Sequence, residues 1–98
     1  MLCKKEQALA ILKEFKSHLA QKYGVLRIGL FGSTVRDEAT SESDIDVVIE
    51  TKTPDMFAIV HIKNFLEHQY GMHVDIIRYR ENMNPYLKKS IDSEALFV

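Results

Sequence analysis

A strand-like run, Leu26-Arg27-Ile28-Gly29-Leu30-Phe31, ends directly on Gly32-Ser33, and after ten intervening residues Asp44 and Asp46 flank Ile45 at the head of a second apolar run. Ile45-Asp46-Val47-Val48-Ile49 is apolar and β-branched, the composition of a buried strand. Side chains alternate along a strand, so Asp44 and Asp46 project to one face and Ile45 to the other. Two carboxylates on one face of a buried strand repel each other and lose hydration, which is costly unless a divalent cation sits between them. Mg²⁺ takes one or two carboxylates together with substrate phosphate oxygens and suits such a pair. The plainer reading, an acid that merely ends a strand in solvent, fits Asp44 better than Asp46, which has Ile45 and Val47 on either side.

The remaining elements follow from periodicity and punctuation. Leu9, Leu12, Phe15, Leu19 and Tyr23 recur at three- and four-residue intervals and predict an amphipathic helix over about Lys4 to Tyr23, stopped by Gly24. Val25 to Phe31 follows as a strand, then a short helical turn at Ser33 and a polar loop from Asp37 to Ser43. After the strand from Ile45 to Glu50, Pro54-Asp55 opens a second long helix to about Tyr70, its buried side carrying Ala58, Ile59, Ile62, Phe65, Leu66 and Tyr70, and Gly71 ends it. A third strand covers His73 to Tyr79, Asn84-Pro85 starts a shorter last helix, and Ala95 to Val98 is a candidate edge strand. The whole is one compact α/β unit, a single domain over residues 1–98.

Charge sharpens the picture. The net charge is −1, which does not advertise nucleic-acid binding. From Asp37 to Asp55, however, seven acidic residues stand against the single basic Lys52. Such a patch repels bare phosphate unless metal ions neutralise it, although for Glu38 and Glu42 a solvated loop is the simpler account. Cys3 is the only cysteine, which excludes an intramolecular disulfide and a cysteine metal cluster and fits a reducing cytoplasm. No apolar run approaches the ~20 residues that span a bilayer. The four histidines assemble no ligand set; His61 and His68 read as solvated or core-edge side chains.

Two further features bear on the acidic pair. Gly32 and Ser33 stand where a strand turns into a helix, so the backbone can approach a phosphate closely and Ser33 adds a hydroxyl donor. A Gly-Ser pair is also a common turn or cap. Arg36 follows by one turn and can reach the same phosphates, or pair with Asp37 or Glu38 instead. Asp75 lies in the apolar run Val74-Asp75-Ile76-Ile77. If the second and third strands are neighbours, Asp75 joins Asp44 and Asp46 in a three-carboxylate cluster able to hold two metal ions, and it can also accept a hydroxyl proton. Alternatively it pairs with Arg78 or Arg80. Lys88 and Lys89 read as a solvated helix face.

These residues resemble the minimal nucleotidyltransferases of the DNA polymerase β superfamily. The matching pieces are Leu30-Phe31-Gly32-Ser33, Arg36, Ser43-Asp44-Ile45-Asp46-Val47-Val48 and Val74-Asp75-Ile76, with Asn84-Pro85-Tyr86-Leu87 and Ser90-Ile91 similar to the closing helix. One departure is Asp37, where such proteins often carry glycine after the arginine. The resemblance implies a polymerase β-type α/β (α+β) fold, a small mixed sheet with helices packed on one side. It implies Asp44, Asp46 and Asp75 as metal ligands and catalytic residues, Gly32, Ser33 and Arg36 as nucleotide-binding residues, Mg²⁺ (two ions) as cofactor and ATP as substrate. It further implies an antitoxin partnered with a HEPN-domain ribonuclease toxin, silenced by transfer of AMP to a tyrosine, in a hetero-oligomer.

Size argues independently for a partner, since 98 residues leave little room for an acceptor-binding domain. Three other readings stay open at this stage. One is a binding antitoxin that occludes its partner without catalysis. The others are nucleotidyl transfer to a small molecule and to an RNA end, the last without a visible basic groove or aromatic series.

Overall fold

Capping residues and glycines set the element boundaries in the computed structural model, which describes residues 4–36 and 44–98. The polar loop expected at Asp37 to Ser43, with Glu38 and Glu42, and the N-terminal Cys3 lie outside the described residues, and Ser33 is described by its backbone alone. Helix α1 runs Lys4–Tyr23, and Gly24 at φ +71° turns the chain into β1, Val25–Phe31. A 3-10 turn at Gly32–Thr34 follows. Strand β2 is Ile45–Thr51 and helix α2 is Met56–Tyr70. Asp55 caps α2 by accepting from Phe57 N at 3.0 Å and Ala58 N at 3.2 Å, and Gly71 closes it in the left-handed region with its N–H on Glu67 O. Strand β3 is Val74–Arg78, one residue shorter at each end than its apolar run suggests. Asn84 caps α3, Pro85–Glu94, with Pro85 in the first turn, and β4 is the short Leu96–Phe97.

The sheet order is β3-β2-β1-β4. Strands β1 and β2 are antiparallel, β4 adds antiparallel to the outer edge of β1, and β2 and β3 are parallel, joined by the α2 crossover. This is the small mixed sheet that the resemblance implies. The two long helices share one side of it. Leu12 and Leu19 of α1 and Ile62 and Leu66 of α2 pack with Ile28, Leu30, Ile45, Val47, Ile49 and Val74, nearly all without solvent exposure. Tyr70 adds a hydroxyl that donates to Ala8 O at 2.8 Å, fastening α2 to α1.

The alternation that sends Ile45, Val47 and Ile49 into this core sends Asp46, Val48 and Glu50 to the other face. There Val48 joins Tyr79, Met83 and Ile91 in a second apolar cluster, with Phe31, Ile77, Ala95 and Phe97 against it. The short helix α3 thus covers part of the sheet face that α1 and α2 leave open. Gly29 makes room for β4: a Cβ there would overlap the Leu96 carbonyl oxygen and stand 2.8 Å from Phe97 Cα.

Candidate active site

Register decides which acids meet. Asp46, the second residue of β2, is paired across the sheet with Phe31 of β1 on one side and with Asp75 of β3 on the other. Directly registered residues of neighbouring strands share a face, so the Asp46 and Asp75 side chains lie side by side on the face away from α1 and α2. Two contacts hold β3 at this register. Ile45 N–H donates to His73 O at 3.1 Å, and Glu67 of α2 accepts from Val74 N–H at 3.0 Å with Oε2. The Val74 N–H, aided by His73, holds the Glu67 carboxyl below its ordinary range despite some desolvation.

Phe31 opposite Asp46 is the last residue of β1, so the turn that follows is delivered to Asp46. Gly32 takes φ +78°, and a Cβ there would overlap Asp46 Oδ2 and stand 3.2 Å from its Cγ. Glycine is therefore required twice at this position, for the left-handed backbone and for the space beside the carboxylate. The Gly32 carbonyl accepts from Val35 N at 3.1 Å and Arg36 N at 3.3 Å, which folds the 3-10 turn. Thr34 within that turn is buried, and its hydroxyl has no hydrogen-bond partner.

Electrostatics report the same cluster. The Asp46 carboxyl is raised above the ordinary carboxylate value, first by burial, then by the charges of Asp75 and Asp44, while Arg36 pulls in the opposite direction. Asp44 stands just before β2 and is exposed, Asp75 is exposed on β3, and Asp46 is half-buried between them. Among the described residues, no three His, Cys, Asp or Glu side chains form a group that could hold a metal ion as they stand. The donor set nonetheless fits Mg²⁺. It consists of hard carboxylate oxygens, it carries an excess of negative charge, and Mg²⁺ completes its shell from substrate phosphates and water rather than from an all-protein cage.

The other sequence candidates are placed as follows. Arg78 donates Nε to Thr51 Oγ1 at 3.3 Å, and Arg36 Nη1 stands 3.7 Å from Glu94 Oε2 at the end of α3. Asp37 and Glu38, the alternative to phosphate as partners for Arg36, lie outside the described residues. Lys88 reaches Glu81 at 3.5 Å and lies over the Tyr79 ring, and His61 stacks on Tyr23. Two site-neighbouring residues escaped the sequence reading. Thr34 carried a readable signal, since it directly follows Gly32-Ser33. Glu94 carried none, because its neighbour Arg36 is distant in the chain.

A cavity of about 100 Å³ opens elsewhere, lined by Gln7, Ala8, Ile11, Ile45, Tyr70 and Met72. It lies on the Ile45 side of the sheet, opposite the acids, and is not part of the acidic site.

Residues 12–98 match the nucleotidyltransferase domain family. The chain is 38% identical over 89 residues to a protein of Methanocaldococcus jannaschii named for protein adenylyltransferase activity, covering 90% of this chain and 91% of that one. It is 30% identical over 94 residues to the protein adenylyltransferase MntA of Thermococcus cleftensis, covering 95% and 94%. Among solved structures, one described as a minimal nucleotidyltransferase superposes with a TM-score of 0.79 at 27% identity, covering 96% of this chain and 95% of that one. The same fold occurs in a toxin–antitoxin complex with AMP-PNP (TM-score 0.70, 19% identity, 97% and 72% covered). It occurs again in a Shewanella oneidensis MNT antitoxin bound to a tri-AMPylated HEPN toxin (0.67, 18%, 95% and 70%).

Proposed function

The chain belongs to the nucleotidyltransferase domain family, and on that premise we propose that it is a Mg²⁺-dependent protein adenylyltransferase that acts as antitoxin, moving AMP from ATP to a tyrosine hydroxyl of a HEPN-domain ribonuclease toxin. The observation that carries the reading is the in-register pair Asp46 and Asp75 lying against the Gly32 turn. It puts surplus negative charge where a phosphate chain could approach backbone, an arrangement that needs cations and a nucleotide to be electrostatically balanced.

In this proposal Asp44, Asp46 and Asp75 are the catalytic carboxylates and would hold Mg²⁺, with two ions the expected complement. When bound, Mg²⁺ neutralises the phosphates and favours ionisation of the attacking hydroxyl. The chain's own part is positioning. Gly32 admits the triphosphate to backbone contact, Ser33 supplies a hydroxyl donor, and Arg36 offers its guanidinium to phosphate oxygens. Asp75, exposed on β3, would also take the acceptor's proton. The acceptor oxygen bonds to the α-phosphorus as the bond to the bridging oxygen of pyrophosphate breaks, so AMP is transferred and pyrophosphate leaves.

The acceptor surface is assigned to the partner. Asp44 and Asp75 are exposed beside the half-buried Asp46, so an acceptor carried by another protein can approach them. The Thermococcus and Methanocaldococcus relatives support protein as acceptor, and the Shewanella assembly supports a HEPN toxin as the protein and a hetero-oligomer as the form. Among the described residues no helix is long and apolar enough to cross a membrane, in keeping with a cytoplasmic pair.

The test is co-expression with a HEPN-domain toxin from the same source, where one is found, then incubation with α-labelled ATP and Mg²⁺. Label is expected on the toxin with wild type and none with the Asp44→Asn/Asp46→Asn double variant, the labelled residue being identified by mass spectrometry. A toxin neutralised equally by both proteins and never labelled would replace the proposal with plain occlusion.

A further inference from the structure

The two edges of the sheet are finished differently. On the β1 side the sheet closes with β4, only the two residues Leu96–Phe97, and such shortness keeps an edge from pairing further. On the other side β3 is five residues long, and among the described residues no strand lies beyond it. Its sequence, Val74-Asp75-Ile76-Ile77-Arg78, carries no proline or lysine to blunt it.

The parallel ladder decides which backbone groups of β3 face outward. Ile45 N–H donates to His73 O at 3.1 Å and Tyr79 N–H to Ile49 O at 2.7 Å, so the odd-numbered residues from His73 to Tyr79 turn their backbone groups toward β2. Val74, Ile76 and Arg78 turn theirs away from it. Glu67 Oε2 takes the Val74 N–H at 3.0 Å. Among the described residues no hydrogen bond reaches the N–H or C=O of Ile76. The side chains of Ile76 and Ile77, on opposite faces of the strand, are only half-buried.

We infer that this edge receives the acceptor protein: an extended segment of it adds to β3 as a further strand and carries the hydroxyl that takes AMP. The unpaired groups of Ile76 are complementary to an extended backbone. Neighbouring strands lie about 4.8 Å apart and alternate in step, so a residue registered with Asp75 puts its side chain beside that carboxylate, on the acid face. A hydroxyl there stands next to the group assigned to take its proton. Ile76 and Ile77 gain cover from the same strand. A second copy of this chain would suit the hydrogen bonds equally well, and the place of Asp75 on the open edge is what favours an acceptor. The inference rests on the reading of the chain as a protein adenylyltransferase and adds how the acceptor is held.

The test is amide hydrogen exchange, read by NMR on the isotope-labelled chain, alone and in complex with a HEPN-domain toxin from the same source. The Ile76 and Arg78 amides are expected to exchange quickly in the free chain and at least about tenfold more slowly in the complex. Equally fast exchange in both, with AMP transfer intact, overturns the inference and leaves the adenylyltransferase reading standing. Protection already present in the free chain, with a dimer in sedimentation, assigns the edge to a second copy and overturns it as well. Ile76→Pro is an independent arm, because it removes an outward N–H and leaves the bonds to β2 in place. AMP transfer to the toxin should fall on the order of tenfold, with Mn²⁺ binding at the acids within about twofold of wild type. Transfer at the wild-type rate in that variant overturns the inference. A toxin that the wild-type chain never labels removes the parent reading and the inference together.

Discussion

The sheet face turned away from α1 and α2 has two ends, and each presents an acid from the same strand. At one end Glu50 of β2 faces Arg27 of β1, whose Nε donates to Glu50 Oε1 at 2.9 Å. The Arg27 guanidinium is itself stacked 4.3 Å from the Phe97 ring centroid and 4.9 Å from that of Tyr79. At the other end, four residues earlier, Asp46 faces a second acid, Asp75, with Asp44 beside it. Glu50 is matched by a cation that two rings flank, whereas Asp46 is crowded by two more acids, with Arg36 the lesser, opposing charge. A fold that can neutralise Glu50 so thoroughly has the means to neutralise Asp46, and its register does the reverse. Charge left unbalanced on a shared face marks the end that receives something from outside.

The largest test of that contrast exchanges the charges one at a time. Asp75→Asn should lower AMP transfer on the order of 10²- to 10³-fold, the range for removing a group that organises transition-state charge, while circular dichroism and melting stay native. Glu50→Gln should leave the transfer rate of the folded protein within about twofold, because its loss is borne by Arg27 and not by phosphate. Equal losses in the two variants would show that the two ends are not functionally distinct.

The reverse experiment attacks the balanced end. Arg27→Ala removes the ion pair and both ring contacts and leaves Glu50, about one-third exposed, without its cation. Summing an exposed pair and two partly solvated cation–π contacts gives a loss of about 1–2 kcal/mol. It should appear as a lower urea midpoint at unchanged slope. A variant as stable as wild type would mean that the stacked guanidinium contributes nothing and that the two ends differ less than their geometry implies.

The contrast also explains what could be read from the chain. Elements with a local signal were legible nearly to the residue: Gly24 and Gly71 end their helices, and Asp55 and Asn84-Pro85 start theirs, because caps and left-handed glycines act within one turn. The acids Asp46 and Asp75 were legible as charges inside apolar runs. Their meeting was legible only as a condition, since whether β2 and β3 are neighbours depends on the α2 crossover and on burial of both strands. Arg27 and Glu50 are 23 positions apart and lie in ordinary half-polar strand ends, so nothing local announced their pairing. Arg36 and Glu94 are farther apart still, and their approach depends on β4 docking beside Gly29. Asp44 was expected to share the strand with Asp46; it stands one residue before β2, exposed, and reaches the site through its charge.

The smallest expected effect is the one that reads the imbalance directly. In the unfolded chain Asp75 and Asp44 disperse and the Asp46 carboxyl returns to its ordinary value of 3.8. In the folded protein burial and those neighbours raise it, so the native state holds the proton more tightly than the unfolded state does. The stability contributed by this group is therefore complete below the unfolded value and is lost as the pH rises through the folded one. Asp46→Asn keeps a neutral side chain of the same size at every pH and escapes that loss. Its Tm should exceed that of wild type at pH 7, by about one or two degrees given how much of Asp46 remains solvated, and the gap should shrink toward zero as the pH falls to 3.8. Mg²⁺ at pH 7 should raise the wild-type Tm and narrow the same gap, because a cation bound only by the folded state stabilises it. A gap of the opposite sign at pH 7 would mean that the fold stabilises the ionised form of Asp46 and that its charge is not left unbalanced.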